Sequence, residues 1–506
     1  MVELTAALSL ATDLGTGQPM EHGLRTTLLA LRAAEALSLS PADTATVLYT
    51  ALLRFLGCVA DASDAAVLAG GDEIAFNAAM APFVMADNRE AMPHFVRAIG
   101  PGLPAARRMA RVASALSDPS GKARSLSAHC EVGARLAARI GLSPDVTAAV
   151  AHAYERWDGK GLPAGLAGDD IPLATRIAVV ARDFDVWSAR EGFGTARRVL
   201  EQRRGRAYDP AIADVFIANG SDWLAALETL DPWDAVLDAE LDSGSVDWER
   251  LDDVLTAFAD FADLKSPWFI GHSRDVSALA AAAASAAGLP SAEVDHVRWA
   301  GLVHDLGVVA VPSGVWNRSG PITSEGWDRV RTHGRVSERI VERCGALAAL
   351  AADVGAHHER ADGSGYDRGQ RDGALTAQLI AAADVYCAAT AERPHRGAMS
   401  SDAAAGLLRD DADRGRLGRR AIDAVLAAAG HVPAAPNVSR PGGLTEREVD
   451  VLRLIARGRS NKATAQDLGI SVKTVGTHIE HIYLKANVAT RAGATLFAME
   501  NDLLRS

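Results

Sequence analysis

Apolar residues recur at helical spacing along much of this chain, and glycine and proline mark where the pattern stops. Val276 and Leu279 follow His272 at a spacing that lays one face of a helix on a core. Trp299-Ala-Gly-Leu-Val303 is a second apolar helical run, ended by His304-Asp305. The longest apolar stretch, Ala278 to Leu289, is rich in alanine and too short to cross a bilayer. Towards the C-terminal end, Thr445 and Glu448 have the spacing of a capping box. Val449, Leu452 and Leu454-Ile455 supply the apolar face of the helix that follows, and Gly458 stops it. A second helix is predicted from Asn461 to Leu468, closed by Gly469, and Ser471 caps a third that starts at Val472. Two helices joined by a short glycine turn make a helix-turn-helix, whose second member would enter a DNA major groove.

The 506 residues are 48% hydrophobic but only 5% aromatic, with alanine abundant, which favours packed helices over β-sandwiches. The predicted fold class is therefore all-α. Pro433 to Gly443 reads as a Pro/Gly linker that sets the last helices apart. Ahead of it the chain looks duplicated. Ser-Ala-His129-Cys-Glu-Val-Gly-Ala-Arg-Leu is similar to Arg-Thr-His333-Gly-Arg-Val-Ser-Glu-Arg-Ile, and Glu155-Arg-Trp-Asp-Gly-Lys-Gly161 to Glu359-Arg-Ala-Asp-Gly-Ser-Gly365. His22 and Arg54 stand as far apart as His272 and His304, and His129 and Ala153 as far apart as His333 and His357. Between the copies, 221–262 is rich in Asp, Leu and Trp and is expected to form connecting helices anchored by Trp223, Trp233 and Trp248.

The net charge of −12 excludes a chain that binds polyanions over its whole surface, so nucleic-acid contact must be local. The unit after the linker is only mildly basic, nine Lys and Arg against seven Asp and Glu, so salt-sensitive and dimer-dependent DNA binding is expected. Four scattered cysteines form no C-x-x-C pair and argue against a zinc knuckle or disulfide framework. With no basic and apolar leader at the N-terminus, a soluble cytoplasmic protein is expected.

The second copy holds the candidate chemistry. His304-Asp305 and His357-His358 are adjacent pairs of imidazole and carboxylate ligands, and His272, His333 and Asp384 lie on separate predicted helices. A carboxylate can bridge two cations while histidines cap each one. Mixed N/O ligation of this kind suits iron or manganese, and less exclusively zinc. Two close metals can clamp a phosphoryl group, which means phosphoester hydrolysis. In the first copy, Arg54-Phe55, Ala153-Tyr154 and Arg182 replace these ligands, and only His22 and His129 survive. Two imidazoles cannot close a metal site, and the arginines would repel a cation.

On these residues, 268–430 resembles the HD-GYP branch of the HD phosphohydrolase superfamily. The resemblance implies an all-helical domain with two divalent metal ions that cleaves a cyclic dinucleotide. Its implied metal ligands are His272, His304, Asp305, His333, His357, His358 and Asp384, with His304 and Asp305 at the catalytic centre and Arg393 and Arg396 as phosphate contacts. The sequence departs from that family's pattern in four places. Val308 stands where a lysine is usual, Asp367 replaces the proline of Gly-Tyr-Pro, Trp268 stands where three-metal members carry a glutamate, and Cys387 replaces a later acid. These departures weigh against turnover of cyclic di-GMP itself. Residues 1–220 resemble the same family with the ligands erased.

The last unit resembles the LuxR-type helix-turn-helix through Leu-Thr-x-Arg-Glu-x-x-Val-Leu, Ser460-Asn-Lys462, Ser471-Val-Lys-Thr-Val475, His478 and Lys485. That resemblance implies double-stranded DNA as partner, contacts from Lys462, Lys473, Thr474, Thr477 and Lys485, and a homodimer. The expected order is a ligand-free HD-like domain over 1–220, a connector over 221–262, a metal-binding HD-like domain over 263–432, the linker over 433–443 and the DNA reader over 444–506. Three functions are compatible with this order. The chain is a transcription regulator whose HD-like domain senses or hydrolyses a nucleotide phosphoester, an active cyclic-dinucleotide phosphodiesterase with a DNA-binding tail, or a non-catalytic helical scaffold.

Overall fold

A computed structural model describes residues 1–118, 120–239, 248–369, 373–430, 441–501 and 503–504. The protein is all-helical, and no strand occurs among the described residues. It divides into two compact units, Met1–Trp248 and Glu249–Ser506. The expected connector over 221–262 straddles that division. Within it Trp233 is buried and Trp223 packs edge-on against Phe216 at 5.2 Å; the side chain of Trp248 lies outside the described residues, as does most of the expected linker.

The second unit is built around the helix His272–Ala286. Its buried face is Val276, Ala280, Ala283 and Ala284, and these small side chains let neighbouring helices come close. The helix Ser291–Val303 crosses it where a Cβ on Gly301 would lie 2.7 Å from the Ser277 Cα. Ser277 Oγ donates to the Arg298 carbonyl at 2.7 Å across the same crossing. Gly307, just beyond, lets a single turn of 3-10 helix lie against the start of the helix His333–Arg343. A Cβ there would stand 2.0 Å from the His333 carbonyl oxygen. The first unit uses the same device, with Gly57 against the His129 carbonyl. Each unit also pins the start of its first ligand-bearing helix with a buried aspartate. Asp13 accepts from the Gly23 N–H, and Asp263 accepts from the Ser273 N–H and hydroxyl.

The end of the second unit is a four-helix bundle, Glu446–Ala456, Asn461–Leu468, Val472–Ala486 and Arg491–Glu500. The Thr445–Glu448 capping box forms with both bonds, and Ser471 accepts from the Thr474 N–H. Gly458 and Gly469 take the left-handed conformation that ends the first two helices. Val449, Leu452, Ile455, Val475, Ile482 and Leu496 fill the core. All four cysteines are free thiols. One segment, Pro41–Val59, is long and apolar enough to cross a membrane by composition alone, but 56% of that window is buried, as in the core helix of a folded domain.

Candidate metal centre and DNA-facing helix

The seven residues that sequence reasoning named as metal ligands converge in the second unit. Their positions follow from where the helices end. His304 is the C-cap of Ser291–Val303, and Asp305 turns out of helical geometry at φ −102° and ψ 16°. The chain breaks between the two, so both side chains reach one centre without the 100° divergence of a continuous helix. His357 ends the helix Ala351–Ala356 in the same way. His272 and His333 each open a helix, and Asp384 comes from the middle of Leu375–Thr390.

The donor atoms fall into two groups that share Asp305. One is Asp305, His333, His357 and His358; the other is His272, His304 and Asp305; within each the ligand atoms lie within 4.8 Å of one another. Asp384 spans the two, its Oδ1 3.1 Å from His272 Nε2 and its Oδ2 3.8 Å from His358 Nδ1. His304, His333 and His357 each donate Nδ1–H to a carbonyl three residues back, Gly301, Val330 and Val354, at 2.8, 2.5 and 2.6 Å. These bonds fix the tautomer and turn the Nε2 lone pairs to the centre. His333 Nε2 lies 3.3 Å from His357 Nε2 and 2.9 Å from His358 Nε2. His333 and His357 both give away Nδ1–H, so their facing Nε2 lone pairs repel unless a positive charge lies between them. His304 Nε2 and Asp305 Oδ1 are buried with no hydrogen-bond partner. Unpaired buried donor sets are costly in an apolar interior, and a divalent cation satisfies both. The residues present therefore fit a metal.

Electrostatics favour the ligating form at His304, His358, Asp305 and Asp384. Burial drives His304 down to about 4, so its imidazole is neutral at physiological pH. Burial, with His357 and His333 beside it, also holds His358 well below the ordinary histidine value. Burial alone would raise both carboxyls. The surrounding imidazoles outweigh it and keep Asp305 and Asp384 well below the carboxylate range, the His272 hydrogen bond being the main support of Asp384. Burial opposes the charged form of His272, yet the Asp384 bond carries its pKa above the ordinary value.

The rim differs from expectation in places. The Arg393 guanidinium lies over the Phe269 ring at 5.0 Å and donates to the Trp268 carbonyl at 2.8 Å, half-buried, within electrostatic reach of Asp384 and Asp305. Arg396 donates to the carbonyls of Ala388, Ala389, Ala391 and Gly397, closing the end of the Asp384 helix. Tyr366 stacks on His358, with ring centroids 4.5 Å apart. Asp367 is tied to Arg335 at 2.6 Å. Val308 is buried and apolar.

On the helix Val472–Ala486, Lys473, Thr474 and Thr477 are exposed, as is Lys462 on the preceding helix. Thr474 Oγ1 is held 2.8 Å from Ser471 Oγ. Lys485 is occupied internally, its Nζ 2.7 and 3.0 Å from the carboxylate of Glu448.

Sequence reasoning missed Arg274. It follows His272 by two positions, is buried, and bonds Asp260 Oδ1 at 2.7 Å and the backbone carbonyl of Met499. The helix Arg491–Glu500 of the C-terminal bundle is thereby tied to the helix that carries His272. Gly458 sits against the loop just before, where a Cβ would meet Pro267 at 2.8 Å. No sequence signal marks this pairing. Asp263 was also missed, and a comparison of the two copies could have found it from Asp13.

Two families account for these features. Residues 119–212 and 256–420 match the HD domain family, and 443–498 match the bacterial regulatory proteins of the luxR family. The chain belongs to the HD domain family and carries a C-terminal LuxR-type domain. It is 28% identical over 416 residues to 3'3'-cGAMP-specific phosphodiesterase 3 of Vibrio cholerae, covering 81% of this chain and 90% of that protein. The crystal structure of a cyclic GMP-AMP specific phosphodiesterase of V. cholerae, V-cGAP3, shares the fold at a TM-score of 0.59 and 24% identity, over 86% of this chain and 98% of that one. Over 61 residues the chain is 44% identical to the transcriptional regulatory protein LiaR of Bacillus subtilis, which is 12% of this chain and 29% of that protein.

Proposed function

We propose that this protein is a DNA-binding regulator whose second unit holds two divalent cations and acts on a cyclic dinucleotide, with the state of that centre biasing DNA binding. The observation that carries the reading is the sharing of Asp305 between two donor groups, which makes room for a cation pair. The similarity to a 3'3'-cGAMP-specific phosphodiesterase over most of both chains supports the substrate class.

Two divalent cations, iron or manganese by the N/O donor set, would supply Lewis acidity towards a phosphodiester and activate water. The chain's own contributions are positional. The Nδ1 bonds to Gly301, Val330 and Val354 hold three imidazoles rigid, so little reorganisation is needed on loading. Asp305 would bridge, and Asp384 would restrain His272 and His358 from the opposite side. Arg393 adds positive charge next to the two carboxylates, the field an anionic phosphodiester requires. The Tyr366 ring covers one side of His358. Val308 offers substrate no charge-assisted contact, which lowers turnover relative to a lysine there by about 1.5–3 kcal/mol of binding.

Coupling to DNA rests on Arg274. A shift of the His272 helix on loading would be felt directly at Met499, and through it by the helix bundle that presents Lys473, Thr474 and Thr477. The test uses the full chain. Metal content is measured, 3'3'-cGAMP and cyclic di-GMP are offered, and DNA sites are selected from random sequence with and without metal. Turnover that disappears in Asp305→Ala supports the catalytic reading. Ligand-dependent DNA affinity without turnover supports a sensor. A metal-free protein that selects no DNA sequence sinks both and leaves the scaffold.

A further inference from the structure

The first unit holds a cluster of nucleophilic and titratable side chains that metal chemistry does not use. Cys58 lies on the 3-10 turn Leu56–Val59, one residue past Gly57, at the position that Val308 takes in the second unit. Gly57 lets this turn press against the His129 carbonyl, which sets the thiol beside the His129 imidazole. Cys58 Sγ is 3.8 Å from His129 Nδ1 and 3.6 Å from the Tyr154 hydroxyl, which is itself 3.0 Å from Nδ1. The other ring nitrogen, Nε2, meets Asp61 Oδ1 at 2.7 Å, and Asp61 Oδ2 accepts from the Ser125 hydroxyl. Cys58 is half-buried, so a small molecule can reach it.

A nucleophile, an imidazole beside it and a carboxylate that orients the imidazole are thus joined in one chain of contacts. Burial opposes the charged form of His129, but Asp61 outweighs it and carries the imidazole well above its ordinary value. Burial would raise Asp61, and His129 holds it below the usual carboxylate value. The ring therefore carries a proton on each nitrogen at neutral pH. With Nε2–H bonded to Asp61, Nδ1–H faces the Tyr154 oxygen and the Cys58 sulfur. Burial pushes the Tyr154 phenol well up, so its hydroxyl stays neutral and the sulfur is the group left to take a negative charge. Cys130, the next residue on the His129 helix, is buried and pushed up to about 11 by burial. Cys344 is fully buried, and Cys387 is half-buried like Cys58.

We propose that Cys58 is an oxidation site, a thiol that a hydroperoxide converts to sulfenic acid with His129 as proton donor. The thiol proton leaves to solvent. A sulfur electron pair forms the S–O bond as the O–O bond of the peroxide breaks, so sulfur is oxidised by two electrons and the peroxide reduced by two. The departing oxygen takes the Nδ1 proton of His129 and leaves as water or an alcohol, and His129 regains a proton from solvent. Asp61 is a positioning residue, because it acts only through His129.

The test treats the full chain, in EDTA to keep metal-catalysed oxidation out, with hydrogen peroxide and dimedone, and follows the adduct on each cysteine by peptide mass spectrometry. Cys58 should be trapped faster than Cys387, and His129→Gln should slow it at least ~10-fold, with a smaller loss in Asp61→Asn. The Cys58 to Cys387 ratio should widen as pH falls below about 8, because an ordinary thiol protonates there while the His129 charge persists. Asp61→Asn should flatten that widening. No adduct on Cys58, a rate no greater than that of Cys387, or unchanged rates in the His129 variant each overturn the proposal. A variant that fails to fold exposes Cys130 and Cys344 and raises labelling at all four thiols. In that case the wild-type ratio and its pH dependence decide, and a ratio that does not change with pH also overturns the proposal.

Discussion

The two units place different chemistry at corresponding points. Where the second has His304, Asp305 and Asp384, the first has Arg54, Phe55 and Arg182. The backbone devices are kept: Gly57 and Gly307 allow the same close approach, and Asp13 and Asp263 pin the same helix start. The surviving histidines changed partners. His129 is bonded to Asp61 at 2.7 Å and to Tyr154 at 3.0 Å, while its counterpart His333 turns Nε2 to the ligand cluster. A helical frame of this kind tolerates inversion of the charge at its centre, because the frame is held by apolar contacts and backbone caps and not by the centre itself.

The sharpest way to break this comparison is at the shared carboxylate. On the proposed reading, Asp305→Ala should remove bound metal and lower turnover of 3'3'-cGAMP by at least about 1,000-fold, read by elemental analysis and product chromatography. An active, metal-replete variant would dismiss the bridging role. The next largest effect concerns the paired aspartates. Asp13 has a folded-state pKa raised from 3.8 to about 7, so the folded state keeps a proton that the unfolded chain has lost. Stability should therefore fall as pH rises from about 4 to about 7, by at most about 4 kcal/mol. Asp13→Asn stays neutral and still accepts from Gly23, so it should flatten that part of the melting profile and gain stability at pH 8; an unchanged profile would refute the assignment.

Arg274→Ala removes the guanidinium bonded to the buried Asp260 carboxylate and should cost about 3 kcal/mol. It should also reduce any effect of metal on DNA affinity, measured by fluorescence anisotropy. In the C-terminal bundle, Thr445→Ala removes one capping bond and should cost about 1 kcal/mol in thermal unfolding. The smallest expected effect is a graft. Arg54→His with Phe55→Asp restores two ligands to the first unit but leaves Ala153, Tyr154 and Arg182, so metal content should not rise. A gain of one or more cations per chain would show that the arginine is the sole barrier.

Much of the centre was legible in the sequence because adjacent ligand pairs and duplicated phrases survive as words. The helix-turn-helix was legible for the same reason: Thr445, Glu448, Gly458, Gly469 and Ser471 act within one turn of where they stand. The side chains of long, flexible cations were not legible. Lys485, expected at DNA, is drawn to Glu448, and Arg396, expected at phosphate, closes a helix end. Both choices depend on which acceptor lies within reach after folding.

The sequence by itself determined the helical class, the DNA-reading motif and the loss of ligands in the first copy, since periodicity, caps and residue identity are local properties. Only the tertiary structure decided that Asp305 belongs to two donor groups, that Arg274 meets Met499, and that Arg54 lies on the rings of Phe55 and Tyr154. Those facts are distances between residues far apart in the chain, and they exist only once the apolar faces have packed.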